Sequence, residues 1–180
     1  MNLDPSVRSA ATADGPGADR QASAGLSLRP AVQADATLLW QWRNDDHTRA
    51  MSRQPDVIPW ETHVAWLAKR LADRDAMLLI GLQGHQSIGV VRFERRADGA
   101  AEVSITISAG FRGRGLGKPL LQCGCGHADR AGFARVFDAE IRTDNLASRK
   151  IFEGSGFKVV SNDERWIMYR RPHPADMDVR

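Results

Sequence analysis

This sequence is short of most features that would mark a disulfide-held, membrane-bound or nucleic-acid-coating protein. Two cysteines in 180 residues make no disulfide framework. No apolar run approaches the length that crosses a bilayer. The first 25 residues, rich in Ala, Gly, Ser and Asp, lack the apolar core of a signal peptide. No run of five or more Lys and Arg occurs, so the net charge of +3 reads as a solvated surface or the field of an anionic ligand. Tyrosine is nearly absent as well, Tyr169 being the sole one. What remains is a chain long enough for one cored domain. The expectation is a cytoplasmic domain over residues 26–171, between a disordered N-terminal tail at 1–25 and a C-terminal tail at 172–180. Neither a membrane nor nucleic acid is expected as a partner.

The two cysteines form a Cys123-x-Cys125-x-His127 cluster that invites a metal reading. Residues two apart on a helix point to different faces, so these three could hardly hold one ion. They read as small side chains packing near a sheet, and no metal is expected.

The most specific stretch is Arg112-Gly113-Arg114-Gly115-Leu116-Gly117. Residues 102–108 upstream alternate polar and apolar, the period of a half-buried strand. Downstream, Leu116, Leu120, Leu121, Gly124 and Ala128 recur at helical spacing. A glycine turn between a strand and a helix start exposes backbone N–H groups beside the positive end of the helix dipole. That arrangement suits phosphate oxygens. The spacing fails the dinucleotide fingerprint, and Gly117-Lys118-Pro119 fails the P-loop signature. Pro119 is tolerable in a first helical turn, which sets the helix start near Gly115. What fits is Arg/Gln-x-x-Gly-x-Gly/Ala, matched by Arg112, Gly115 and Gly117.

With these residues the sequence resembles the GNAT N-acetyltransferase family, which binds acetyl-CoA through this loop. A second motif, Asn145-Leu146-Ala147-Ser148-Arg149-Lys150-Ile151-Phe152 running on to Gly156-Phe157, follows the strand at 135–141 in the family's order. The resemblance covers roughly residues 26–171. It implies an α/β (α+β) fold: a mixed, mostly antiparallel twisted sheet of about seven strands, splayed at strands 4 and 5, with about four helices. It also implies that the pantetheine arm enters the splay and bonds backbone groups near Ile105 to Ile107. Gly113, Arg114, Gly115, Gly117 and Lys118 would hold the pyrophosphate, with Arg112, Asn145, Ser148 and Phe152 also against CoA.

Read along the chain, the expected order is β-α-α-β-β-β-α-β-α-β-β. Asp35 caps the first helix, and Trp60, His63, Val64, Leu67 and Leu71 mark one face of the second.

Acetyl transfer to an amine needs an acceptor for the amine's proton and some route to protonate the departing thiolate. The resemblance implies a strand glutamate as base, here Glu102. Glu140, Asp138 and His85 are weaker alternatives. The family's thiolate-protonating tyrosine is Phe152 in this sequence, which leaves Tyr169 as the one tyrosine able to substitute, or no dedicated acid at all. Asn145 could order a water, contact CoA or cap a helix. On the acceptor side, Trp40-Gln41-Trp42-Arg43-Asn44-Asp45 ahead of Trp60-Glu61-Thr62-His63-Val64-Ala65-Trp66 resembles acetyltransferases of amino-sugar nucleotides, of the pseudaminic acid biosynthesis type. It resembles ribosomal-protein N-terminal acetyltransferases less fully. Arg43, Asn44 and Trp40 are the acceptor-binding candidates. The alternatives are a protein N-terminus as acceptor, or a non-catalytic acyl-CoA-binding module. A homodimer is expected by analogy with relatives.

Overall fold

The computed structural model describes residues 25–172, so both expected tails lie outside it except for Gly25 and Pro172. Seven strands form one sheet in the order β1-β2-β3-β4-β5-β7-β6. The strands are β1 (Leu26–Pro30), β2 (Ala76–Gln83), β3 (Gln86–Arg95), β4 (Ala101–Ile107), β5 (Val136–Arg142), β6 (Lys158–Asn162) and β7 (Trp166–Pro172). All neighbours run antiparallel except β4 and β5. Five α-helices are described: α1 (Ala36–Asn44), α2 (Asp46–Ala50), α3 (Trp60–Ala72), α4 (Gly117–Arg130) and α5 (Leu146–Glu153). None is long and apolar enough to cross a membrane.

The sheet separates two apolar clusters. Val91, Phe93, Val103, Phe137, Ala139 and Tyr169 face α4 and α5, together with Leu121, Cys125 and Phe152. On the other face Leu78, Ile80 and Val90 pack with Leu39, Trp42 and Leu67 of α1 and α3. Because helices cover both faces, β3 is buried at consecutive positions instead of alternating. Toward β5 and β7 this second face turns polar, and that change positions the site.

Three local expectations are corrected. Asp35 stands at the start of α1 but makes no side-chain cap bond. Its carboxylate instead accepts from Arg29 at 2.7 and 2.8 Å and from the Val32 N–H at 2.8 Å, a two-pronged charged pairing that outweighs a lone cap bond. The helix after the glycine loop starts at Gly117 rather than Gly115, since Gly113 and Gly115 hold φ of 74° and 72°. Helix α2 was not expected. Asp45 caps it through the Thr48 N–H at 3.0 Å, and none of its residues is buried, so it has no apolar stripe to betray it.

Candidate active site

β4 and β5 pair in parallel only at Ala101↔Phe137 and Glu102↔Asp138. Past those two positions β4 runs on to Ile107 and β5 to Arg142 without pairing. The strands therefore open into a V, and the β4 backbone from Ser104 to Ile107 presents unladdered polar groups toward the gap. An extended chain can add there as a strand would. Ile105 packs toward the α4–α5 core, and Ile107 leads into the glycine loop.

At the open end of the V lies that loop. Gly113, Arg114 and Gly115 are exposed. The N–H groups of Gly113, Arg114, Gly115, Leu116 and Gly117 have no hydrogen-bond partner among the described residues. A Cβ on Gly117 would come within 2.4 Å of Ile151 Cδ1, so a larger residue there would require the Ile151 side chain to shift where the start of α4 meets α5. The Arg112 side chain turns away from the loop. It donates to the Ile107 carbonyl at 3.1 Å, Asp45 Oδ1 at 2.6 Å and Thr48 Oγ1 at 3.0 Å, tying the loop to α2. Arg114 covers the Phe111 ring at 4.9 Å. Lys118 follows in the first turn of α4, and Asn145 caps α5 by accepting from the Ser148 N–H at 3.1 Å.

Glu102 stands at the apex of the V, exposed on the polar face. Its register partner Asp138 is buried, with Arg96 at 2.6 Å and Arg170 at 2.7 and 2.9 Å. Burial alone would raise the Asp138 pKa, but bonds from Arg170 and Arg96 outweigh it and hold it below the usual carboxylate value. Two positions on, Glu140 pairs with Arg53, whose guanidinium lies 4.8 Å from the Trp166 ring centre. Neither carboxylate is as open as Glu102. His85 is exposed in the β2–β3 turn, two strands from the V.

Tyr169 is fully buried among the residues facing α4 and α5, and its hydroxyl donates to Glu153 Oε1 at 2.7 Å. Burial and that bond push its pKa above the ordinary phenol value. With no exposed surface it lines no open cleft, so the fold does not bring it to the gap as an acid. Phe152 packs beside it, 5.0 Å from the Phe157 ring. Tyr169→Phe is therefore expected to change turnover less than about threefold while costing about 1 kcal/mol of stability, read from steady-state rates and urea unfolding.

Two acceptor candidates have structural work. Asn44 Nδ2 donates to the Ile58 carbonyl at 2.9 Å while its Oδ1 accepts from the Ile58 N–H at 2.8 Å. Trp40 Nε1 donates to the same carbonyl at 2.8 Å. Both thus clamp the segment 51–59 that leads into α3. Arg43 lies nearer the sheet, its Nη2 donating to the Gln54 carbonyl at 2.8 Å. Two further residues that no sequence pattern singles out face this side of the sheet: Arg53 and Arg92. Cross-strand pairing places Arg92 opposite Ser104, information that lies in the register and not in either segment alone.

Burial lifts the Cys125 thiol to about 12, so it stays protonated at neutral pH. Among the described residues no three His, Cys, Asp or Glu side chains are grouped to hold a metal.

Residues 26–158 match the family described as acetyltransferase (GNAT) domain. The chain is similar to the mycothiol acetyltransferase of Corynebacterium glutamicum strain R, 28% identical over 149 residues covering 81% of this chain and 48% of that protein. To the mycothiol acetyltransferase of Corynebacterium efficiens it is 25% identical over 167 residues, covering 92% and 53%. It thus spans about half the length of these curated relatives. The fold is similar to spermidine N-acetyltransferase from Vibrio cholerae in complex with CoA and spermine, with a TM-score of 0.77, 14% identity and coverage of 86% and 99%. It is also similar to RimL, the ribosomal L7/L12 alpha-N-protein acetyltransferase in complex with coenzyme A, with a TM-score of 0.74, 21% identity and coverage of 84% and 96%.

Proposed function

The chain belongs to the GNAT acetyltransferase family, and from that premise we propose that it moves the acetyl group of acetyl-CoA to a primary amine, with an amino-sugar nucleotide as the acceptor. The observation that carries the acetyl-transfer part of this reading is the V between β4 and β5: unpartnered loop N–H groups at its open end, an exposed carboxylate at its apex. The amino-sugar-nucleotide acceptor rests on the sequence resemblance of residues 40–66. The backbone of Gly113, Arg114, Gly115 and Gly117 suits the pyrophosphate, with Lys118 adding charge, and the free edge from Ile105 to Ile107 suits the pantetheine amides. Asn145 and Ser148 shape the α5 side, whereas Phe152, expected against CoA, is buried in the core behind them. Arg112 contributes by fixing the loop.

In this mechanism the amine nitrogen bonds the acetyl carbon as the carbon–sulfur bond breaks. Glu102 takes the amine's proton, directly or through one water. The sulfur leaves as a thiolate, whose parent thiol pKa of about 8.5 makes it a tolerable leaving group without a dedicated acid. That fits the occupation of Tyr169 elsewhere.

A small acceptor is favoured over an extended peptide by the segment 45–59, which Arg112–Asp45 and Arg53–Glu140 tie to both sides of the V. A protein N-terminus would have to displace this strap. A cytoplasmic setting belongs to the same reading, supported by two cysteines that are both free. So does a homodimer, for which the edge strand β6 offers exposed Val159 and Val160.

The test is CoA release from acetyl-CoA against amino-sugar nucleotides, N-terminal peptides, polyamines and aminoglycosides. Acetylation of an amino-sugar nucleotide in preference to the rest is the expected result. Preference for extended peptides would move the assignment to protein termini. Tight acetyl-CoA binding with no acceptor consumed would leave a binding module.

A further inference from the structure

The face beneath α1 and α3 holds two arginines that acetyl transfer itself does not call for. Arg92, on β3, donates from Nε to Ser104 Oγ at 3.1 Å, and its guanidinium lies 5.6 Å from the Trp66 ring centre. Its terminal nitrogens have no hydrogen bond or ion pair among the described residues. Of the carboxylates in electrostatic reach, Glu94 is held by Arg70 at 2.9 Å and Glu102 sits at the apex of the V. Arg43 descends from α1. Its Nη1 is buried without a partner, its Nη2 donates to the Gln54 carbonyl, and it makes no ion pair among the described residues. Burial lowers the pKa of both guanidinium groups, and the charges of Arg92 and Arg49 lower that of Arg43 further.

Desolvated cations without a counterion are costly, and a folded protein keeps them where something else supplies the opposite charge. Beside them, His63 is buried with Nε2 unpartnered, and burial together with Arg43 and Arg92 holds it below the ordinary imidazole value, against a bond to the Ala36 backbone. It therefore adds no charge of its own at neutral pH.

We infer that Arg43 and Arg92 form an anion subsite in the acceptor half of the cleft, so that the acceptor amine also carries a carboxylate or phosphate group. This inference rests on the acetyl-transfer reading. Arg92 stands across the ladder from Ser104, two residues along β4 from Glu102, a spacing of roughly 7 Å. An amine at Glu102 and an anion at Arg92 would then be several bonds apart in one molecule. Trp66 backs the Arg92 guanidinium and holds its plane, while Ser104 fixes its Nε and leaves the outer edge to meet two oxygens. A polycation such as spermidine brings the wrong sign to these two arginines.

The experiment compares acceptors matched except for the anion: 4-aminobutyrate against butylamine, glucosamine 6-phosphate against glucosamine, with spermidine alongside. In at least one pair, kcat/KM for the anionic member should exceed that of its partner at least roughly tenfold. The pair that responds separates carboxylate from phosphate. Arg43→Gln and Arg92→Gln should each collapse that ratio, and Arg92→Lys should restore part of it, with circular dichroism confirming that all three fold. Equal or better use of uncharged and cationic amines would overturn the subsite while leaving acetyl transfer standing. If no amine is consumed, calorimetric titration of acetyl-CoA-loaded protein with 4-aminobutyrate and glucosamine 6-phosphate decides. Binding lost in Arg92→Gln keeps the subsite although transfer fails, and no binding of either anion overturns it.

Discussion

Glu102→Gln is expected to lower kcat by about a hundredfold or more, the scale of a lost general base, while the KM for acetyl-CoA changes little. The substitution keeps the shape of an exposed side chain on a strand whose own ladder with β3 is untouched, so folding should be unaffected. The other carboxylates near the apex are engaged: Asp138 by two arginines and Glu140 by Arg53. Glu140→Gln should accordingly cost far less in kcat and act mainly by loosening the strap over the cleft. Stopped-turnover rates with the preferred acceptor distinguish the two. If Glu102→Gln keeps a third or more of the parent rate, the base is a bound water or the amine enters already deprotonated, and the role of Glu102 is withdrawn.

The order of strands and the two motif segments could be read directly because each carries a local signal. The period-2 run at β4, the glycine turn and the 3.6-residue spacing of α4 are written in consecutive residues. Helix α5 is legible in the same way, through its asparagine cap and a strongly amphipathic face. The splay was a different matter. It depends on where two parallel strands stop pairing, which no single segment records, and it came from family resemblance alone. The same holds for the acceptor half. Asn44 and Trp40 looked like ligand-binding types, and polar side chains beside a cleft do often bind ligands. Only the fold reveals that the Ile58 backbone, 14 and 18 residues on, claims them. Arg92 shows the converse: an unremarkable basic residue in a strand becomes conspicuous when cross-strand register sets it against Ser104 with its outer edge unpaired.

Asp138→Asn is expected to destabilise the fold by about 3 kcal/mol, lowering Tm by roughly 6–12 °C. The carboxylate joins three parts of the chain, with Arg96 from the segment between β3 and β4, Arg170 from β7 and its own strand β5. Both arginines keep part of their surface in water, 37% and 47% of the side chain, so they rehydrate when the charge goes and the loss falls at the low end for a buried pair. The effect depends on pH in a definite direction. The folded pKa of Asp138 lies below the unfolded value of about 3.9, so its contribution is complete above that value and disappears as pH falls through the folded pKa. Urea midpoints of parent and variant should therefore differ most near pH 7 and converge in acid. A gap that persists unchanged below pH 3 would mean that packing, not charge, accounts for the loss. Asp138 also pairs in register with Glu102 at the last rung before the strands part. Two bare carboxylates on adjacent strands would repel, and the arginines cancel one of them. The same ion cluster that fastens the closed end of the V thus leaves Glu102 as the open carboxylate at its apex among the described residues, its β3 neighbour Glu94 being held by Arg70, and the variant should lose activity at temperatures where it is still folded.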